Sequence, residues 1–231
     1  TAILLYFIGI EQGIDFASKS AVYAFPGLIA TLSFLYAYFL ASRRCTQLPV
    51  LPQILLCSLC AFAAFLGVSW LFQLTEMSLT QAAIILLVAM FVALVLFRKI
   101  ENESILNRVR LTKSVVLLRA ALASLIVLII SGLAAWIGPR WSGLLSGFPV
   151  TLYPIMLILH FTYGTGPVHT LIRNFPRGMG ALWVYILTVS LGYPVLGLEL
   201  GTLAAFGIAT VYLVSYSTFV WMRRKSVQAS G

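Results

Sequence analysis

Apolar residues run along this chain in long unbroken blocks, and short polar or basic clusters separate one block from the next. Blocks of this kind match the roughly 20 apolar residues a helix needs to cross a bilayer. The pattern predicts helices over residues 1–15, 19–40, 51–74, 79–97, 114–137, 142–163, 180–196 and 201–221. The first is short for a span. Gly164-Thr165-Gly166-Pro167 reads as the start of a longer connection through Arg173, Pro176 and Arg177. The only long polar segment is 101–113, with Arg108 and Arg110, where one half hands over to the other. The expected fold is therefore all-α: a polytopic membrane protein with eight transmembrane helices as two parallel four-helix repeats. Residues 1–98 form the first repeat, 99–113 a cytoplasmic linker, 114–225 the second repeat and 226–231 a tail.

An internal repeat supports that division. Gly143-Leu144-Leu145-Ser146-Gly147-Phe148-Pro149 recurs in weaker form as Ser20-Ala21-Val22-Tyr23-Ala24-Phe25-Pro26, at an offset of 123 residues. At the same offset Gly9 falls on Gly132, Glu76 on Glu199, and Ala82, Ile85 and Val88 on Ala205, Ile208 and Val211. An even number of helices per repeat inserts both halves the same way, related by an axis along the membrane normal.

Composition agrees: 61% of residues are hydrophobic and 9% charged, and mean hydropathy is +1.02, far from a soluble domain. The net charge of +9 does not make a nucleic-acid surface, because the basic residues sit in clusters between apolar runs. Arg43, Arg44, Arg98, Lys99, Arg108, Arg110, Lys113, Arg119, Arg173, Arg177 and Arg223-Arg224-Lys225 fall on one side of the expected topology. Lys19 and Arg140 fall on the other, beside Glu11, Asp15, Glu76 and Glu199. This bias places both termini in the cytoplasm. The first apolar run lacks a basic leader and a cleavage site, so it is expected to stay as a helix. Cys57 and Cys60 lie in an apolar run with no His, Asp or Glu nearby, and are read as reduced packing residues with no metal.

Four features are candidates for chemistry. Each Phe-Pro follows small residues four apart, which lets helices approach closely in lipid. Each proline also removes an N–H, freeing the carbonyls of Val22 and Leu145. Phe25, Pro26, Gly147, Phe148 and Pro149 then either line a small polar site across the pseudo-twofold axis or merely kink helices so that they pack. The turn Gly138-Pro139-Arg140-Trp141-Ser142-Gly143 opens a helix whose N-terminus, with Arg140, suits an anion. Its plainer reading is an interfacial turn anchored by Trp141. Glu11, Asp15 and Lys19 stand at i, i+4 and i+8, where two close carboxylates suit proton coupling or simply face water. His160 either relays a proton or satisfies a neighbouring carbonyl. Glu76 and Glu199 suit helix-start turns, and His169 to Arg177 an interfacial connection. No nucleophile elbow, zinc-protease motif, phosphate loop or metal-spaced Cys/His cluster is present, so an enzyme and a cofactor are not expected.

Gly138 to Leu145, with Phe148-Pro149 and His160, resembles small bacterial inner-membrane proteins of the GlpM-like type, over residues 124–221. Residues 1–98 depart from that pattern, with Ala17 where the second half has Arg140 and Ala37 where it has His160. The resemblance implies a bacterial inner-membrane location and a four-helix unit, with any site carried mainly by the second half. The reading is a carrier or exporter of a small anionic or zwitterionic solute. Substrate would meet Arg140, Ser142, Gly143, Gly147, Phe148, Pro149, Phe25 and Pro26, and protons Glu11, Asp15 and His160. The alternative is a non-transporting subunit that anchors a larger envelope complex. The expected partners are the bilayer, a solute, and a second copy or a membrane complex.

Overall fold

The computed structural model describes residues 1–102 and 113–229, and among them every regular element is an α-helix. The helices are α1 (Ala2–Gln12), α2 (Ile14–Arg44), α3 (Val50–Gln73), α4 (Leu79–Phe97), α5 (Lys113–Ser146), α6 (Leu152–Tyr163) and α7 (Thr165–Ala229). Five contain a stretch long and apolar enough to cross a bilayer: α2, α3, α4, Ala120–Ser146 of α5 and Thr165–Met222 of α7. These make a multi-pass helical membrane protein. Arg108 and Arg110 of the expected linker lie outside the described residues, as do the side chains of Lys113, Arg119, Arg223, Arg224 and Lys225.

Helix boundaries follow local chemistry. α4 starts in a capping box: the Ser78 hydroxyl accepts from the Gln81 N–H, and the Gln81 side chain accepts from the Ser78 N–H. α2 ends on Arg43 and Arg44, whose charge suits the carbonyl end of a helix. At Gly13, Gly138, Gly164 and Gly197 the backbone reverses in a single residue, with φ between 76° and 90°. Only glycine adopts that conformation without strain.

Instead of eight separate helices, the described residues form seven, two of which fold back on themselves. In α7 the reversal at Gly197 makes an antiparallel hairpin. The Tyr193 hydroxyl meets the Thr202 hydroxyl at 2.9 Å, and the Tyr185 and Phe206 rings stand 5.1 Å apart. In α5 the reversal at Gly138 lets the Ser142 hydroxyl reach back to the Ala134 carbonyl. The expected helix over 142–163 is broken between Ser146 and Leu152, and the first helix stops at Gln12 rather than Asp15. The expected loop after Gly164 is helical from Thr165 onward. Pro167 sits in the first turn, where a missing N–H costs nothing, so the Gly-Pro cluster starts a helix instead of interrupting one.

α2 is the axis of the molecule. Of its apolar stretch 67% is buried inside the protein, against 28% for α3 and 22% for α4, which turn large apolar faces outward. One core cluster draws on both halves of the chain, from Leu4 and Phe34 to Met156 and Tyr193. The closest approach is a parallel crossing of α2 with the second limb of α5. A Cβ on Gly143 would lie against the Ser20 carbonyl, and one on Gly147 against the Gly27 backbone. The Thr31 hydroxyl donates to the Gly147 carbonyl at 2.6 Å. Small side chains let the backbones touch here, as membrane helices require.

Candidate functional site

A buried polar network lies near the arginine-rich end of α2, built by four helices. Tyr38 and Ser42 are one turn apart on α2, Gln53 is in the first turn of α3, His160 is in the last turn of α6, and His169 is in the second turn of α7. Tyr38, Ser42, Gln53 and His160 are all buried, and His169 is half-buried. The amide of Gln53 donates to the Ser42 carbonyl at 3.4 Å, which leaves its oxygen to accept from His160 Nε2 at 3.2 Å. That assignment puts the ring hydrogen on Nε2, so Nδ1 accepts from the Tyr38 hydroxyl at 2.7 Å. The Ser42 hydroxyl donates to the Phe39 carbonyl at 2.8 Å and accepts from His169 Nε2 at 2.7 Å. The five side chains thus form a neutral set in which both rings are partnered. The His169 ring also packs edge-on to Phe39, with centroids 4.9 Å apart.

The surroundings fix this end of the bundle. Arg43 stacks over Phe39, and the Arg173 guanidinium donates to the Ile100 carbonyl at 2.6 Å, tying α7 to the end of α4. Further along α7 the Trp183 indole donates to the Ala83 carbonyl of α4 at 3.0 Å. Arg43, Arg44, Arg98, Lys99 and Arg177 are exposed around this end. Gln53 and Cys57 share a face of α3, and Cys57 is fully buried with its thiol free.

The residues singled out from the sequence fall in three different places. Arg140, at the opposite end of the molecule, is paired with Glu76 at 2.6 Å and donates to the Gln73 carbonyl, with its guanidinium over the Tyr23 ring. Its charge is therefore already countered by protein. The Ser142 hydroxyl donates to the Gly138 carbonyl at 2.8 Å, and Gly143 and Gly147 are filled by α2. The two prolines are not equivalent. Pro26 lies inside α2, whereas Pro149 follows the end of α5, and the Leu145 carbonyl accepts from the Phe148 N–H at 2.9 Å rather than standing free.

Glu11 and Asp15 are exposed and belong to different helices, because Gly13 breaks the chain between them; the expected shared face does not form. Phe25 packs edge-on against Trp183, and Phe148 sits among Phe34, Phe62, Phe65 and Tyr153. Gly147, Phe148 and Pro149 also line an apolar cavity of about 500 Å³, with Phe7, Leu28 and Val127. The Phe-Pro region is thus packing and apolar space, and the polar site lies elsewhere, with His160 its one member foreseen. Tyr38, Ser42, Gln53 and His169 carried a weak sequence signal: isolated polar groups in or beside apolar runs.

No family model matches the chain, and neither a curated protein nor a solved structure does.

Proposed function

We propose that this protein is a carrier or exporter of a small anionic or zwitterionic solute, working in a bacterial inner membrane with both termini in the cytoplasm. The observation that carries the reading is the buried Tyr38–His160–Gln53–Ser42–His169 network. Ionisable groups among membrane-spanning helices are costly and concentrate on solute and proton pathways. This network joins α2 and α3 of one half to α6 and α7 of the other, the contacts that must part when a carrier opens on one side. The exposed arginines around that end favour an anionic group at its mouth.

The same reading takes the molecule as two related four-helix units. Supporting it, the pair α1–Gly13–α2 is matched by the two limbs of α5 about Gly138, with φ, ψ of 90°, 168° and 76°, 172°. The parallel approach of Ser20 to Gly143 and Gly27 to Gly147 fits an axis along the membrane normal. The GlpM-like resemblance of the second half fits the location. Glu11 and Asp15 stand as outer groups that water reaches, and Arg140 as a structural partner of Glu76.

Purified protein in proteoliposomes should take up at least one solute from a panel of small carboxylates, phosphates and zwitterions. Gln53→Leu should abolish uptake, while Glu11→Gln and Arg140→Ala show whether the opposite end contributes. If no member of the panel moves and a stoichiometric membrane partner co-purifies in mild detergent, the protein is an anchoring subunit instead.

A further inference from the structure

We propose that His160 is a proton-binding site that latches the arginine-rich end of the bundle: closed while the ring is neutral, released when Nδ1 takes a proton from water. The use of that release in solute movement rests on the carrier reading; the proton site itself does not. In the closed arrangement both ring nitrogens are committed with opposite polarity, Nδ1 accepting from Tyr38 and Nε2 donating to Gln53. A proton on Nδ1 sets an N–H against the hydrogen of the Tyr38 hydroxyl. The hydroxyl must turn to accept, and its own hydrogen then needs a new acceptor. Among the described residues the titratable groups acting on Tyr38 are the Cys57 thiol of α3, a weak acceptor, and the Tyr153 hydroxyl of α6. Neither is hydrogen-bonded to it in the closed arrangement, so the bundle end must rearrange to supply one.

Charge works in the same direction. Neither hydrogen-bond partner of His160 is a carboxylate: among the described residues Tyr38 of α2 and Gln53 of α3 hold the ring, His169 of α7 interacts with it electrostatically, and Cys57 of α3 and Tyr153 of its own helix act on Tyr38. Among the described residues the charged groups acting nearby, Arg43 and Glu101, act on His169. An imidazolium buried without a counter-charge is unfavourable, so the protonated ring favours an arrangement in which water reaches it. Opening between α2 and α6 supplies that water, and loss of the proton restores the latch.

Cys57 reports on this directly. In the full chain carrying Cys45→Ser and Cys60→Ser, alkylation of Cys57 by a small maleimide is compared with the same background carrying His160→Asn. The asparagine oxygen can still accept from Tyr38 but cannot be charged. Taking the ratio of the two rates at each pH cancels the titration of the thiol. The ratio should be near 1 at about pH 8 and rise about fivefold or more by about pH 5, the range in which histidine changes charge. A ratio flat across that range overturns the proposal.

Tyr38→Phe gives a second arm, should His160→Asn fail to fold. Without the latching hydroxyl, the ratio of the Cys57 labelling rate in Tyr38→Phe to that in the same background with Tyr38 intact should be about fivefold or more at about pH 8 and fall toward 1 by about pH 5. A ratio near 1 at about pH 8 also overturns the proposal. Neither arm needs a solute. A pH-dependent ratio with no uptake in proteoliposomes keeps the proton site and removes the carrier. Uptake with a flat ratio does the reverse.

Discussion

Among the polar contacts that join the halves of this molecule, two lie toward opposite ends of α2 and are built on opposite terms. At one end Arg140 and Glu76 form an ion pair whose side chains are 37% and 86% exposed. At the other, Tyr38, Ser42, Gln53, His160 and His169 form a neutral network that is almost wholly buried. Full charge stands where water can solvate it; where water is excluded the chain uses neutral groups, each with a partner. An exposed pair gives little stability and tolerates change. A buried network gives little net stability when complete and loses much when one member is removed. The interior end is therefore the one at which a single proton or substitution has consequences.

The hardest test of that contrast removes the crossing between the two ends. Gly147→Val places a branched side chain where even a Cβ would lie 2.3 Å from the Gly27 carbonyl carbon, and the obstacle is backbone, which cannot swing aside. Overpacking at a rigid contact costs about 1–3 kcal/mol and sometimes more, so the monodisperse peak in detergent should be lost, and both polar sites with it. An unchanged elution profile would show that α2 and α5 can separate without harm. Next, His160→Leu leaves Tyr38 and Gln53 buried without their partner and should destabilise by about 1–3 kcal/mol in thermal unfolding. Loss of less than a degree or two in melting temperature would mean that water already reaches the network.

Thr31→Val removes the hydroxyl that reaches Gly147 and should cost about 1 kcal/mol by the same measurement. Smallest of all, Glu76→Gln should change stability by about 0–1 kcal/mol, and 0.5 M salt should erase the difference by screening. A large, salt-independent effect there would mean that the Arg140 pair is shielded from water and would collapse the distinction between the ends.

Much of the scaffold is legible in the residue pattern, because apolar block length and clustered basic residues act locally. The close crossing was visible too: Gly143, Gly147 and Ser20 stood out as small residues at helical spacing, and they are the ones that touch. Matching letters at the two Phe-Pro sites do not give matching local structure. Phe25-Pro26 lies in a continuous helix, and Phe148-Pro149 just beyond a helix end. Glu11 and Asp15 kept helical spacing in the sequence, but Gly13 cancels it. The network was out of reach for another reason: Tyr38 and His160 are 122 residues apart and Gln53 and His160 107, and no local pattern announces such a pairing.

The reversal at Gly197 has a consequence for biosynthesis. With one residue between the two limbs of α7, there is no slack for a loop to wait in water while the second limb emerges from the ribosome. A limb that entered lipid alone would leave Tyr185 and Tyr193, which meet Phe206 and Thr202 of the second limb, facing hydrocarbon until its mate arrived. The pair should therefore be inserted as one hairpin, and a nascent chain halted shortly after Gly197 should remain at the insertion machinery instead of entering the bilayer.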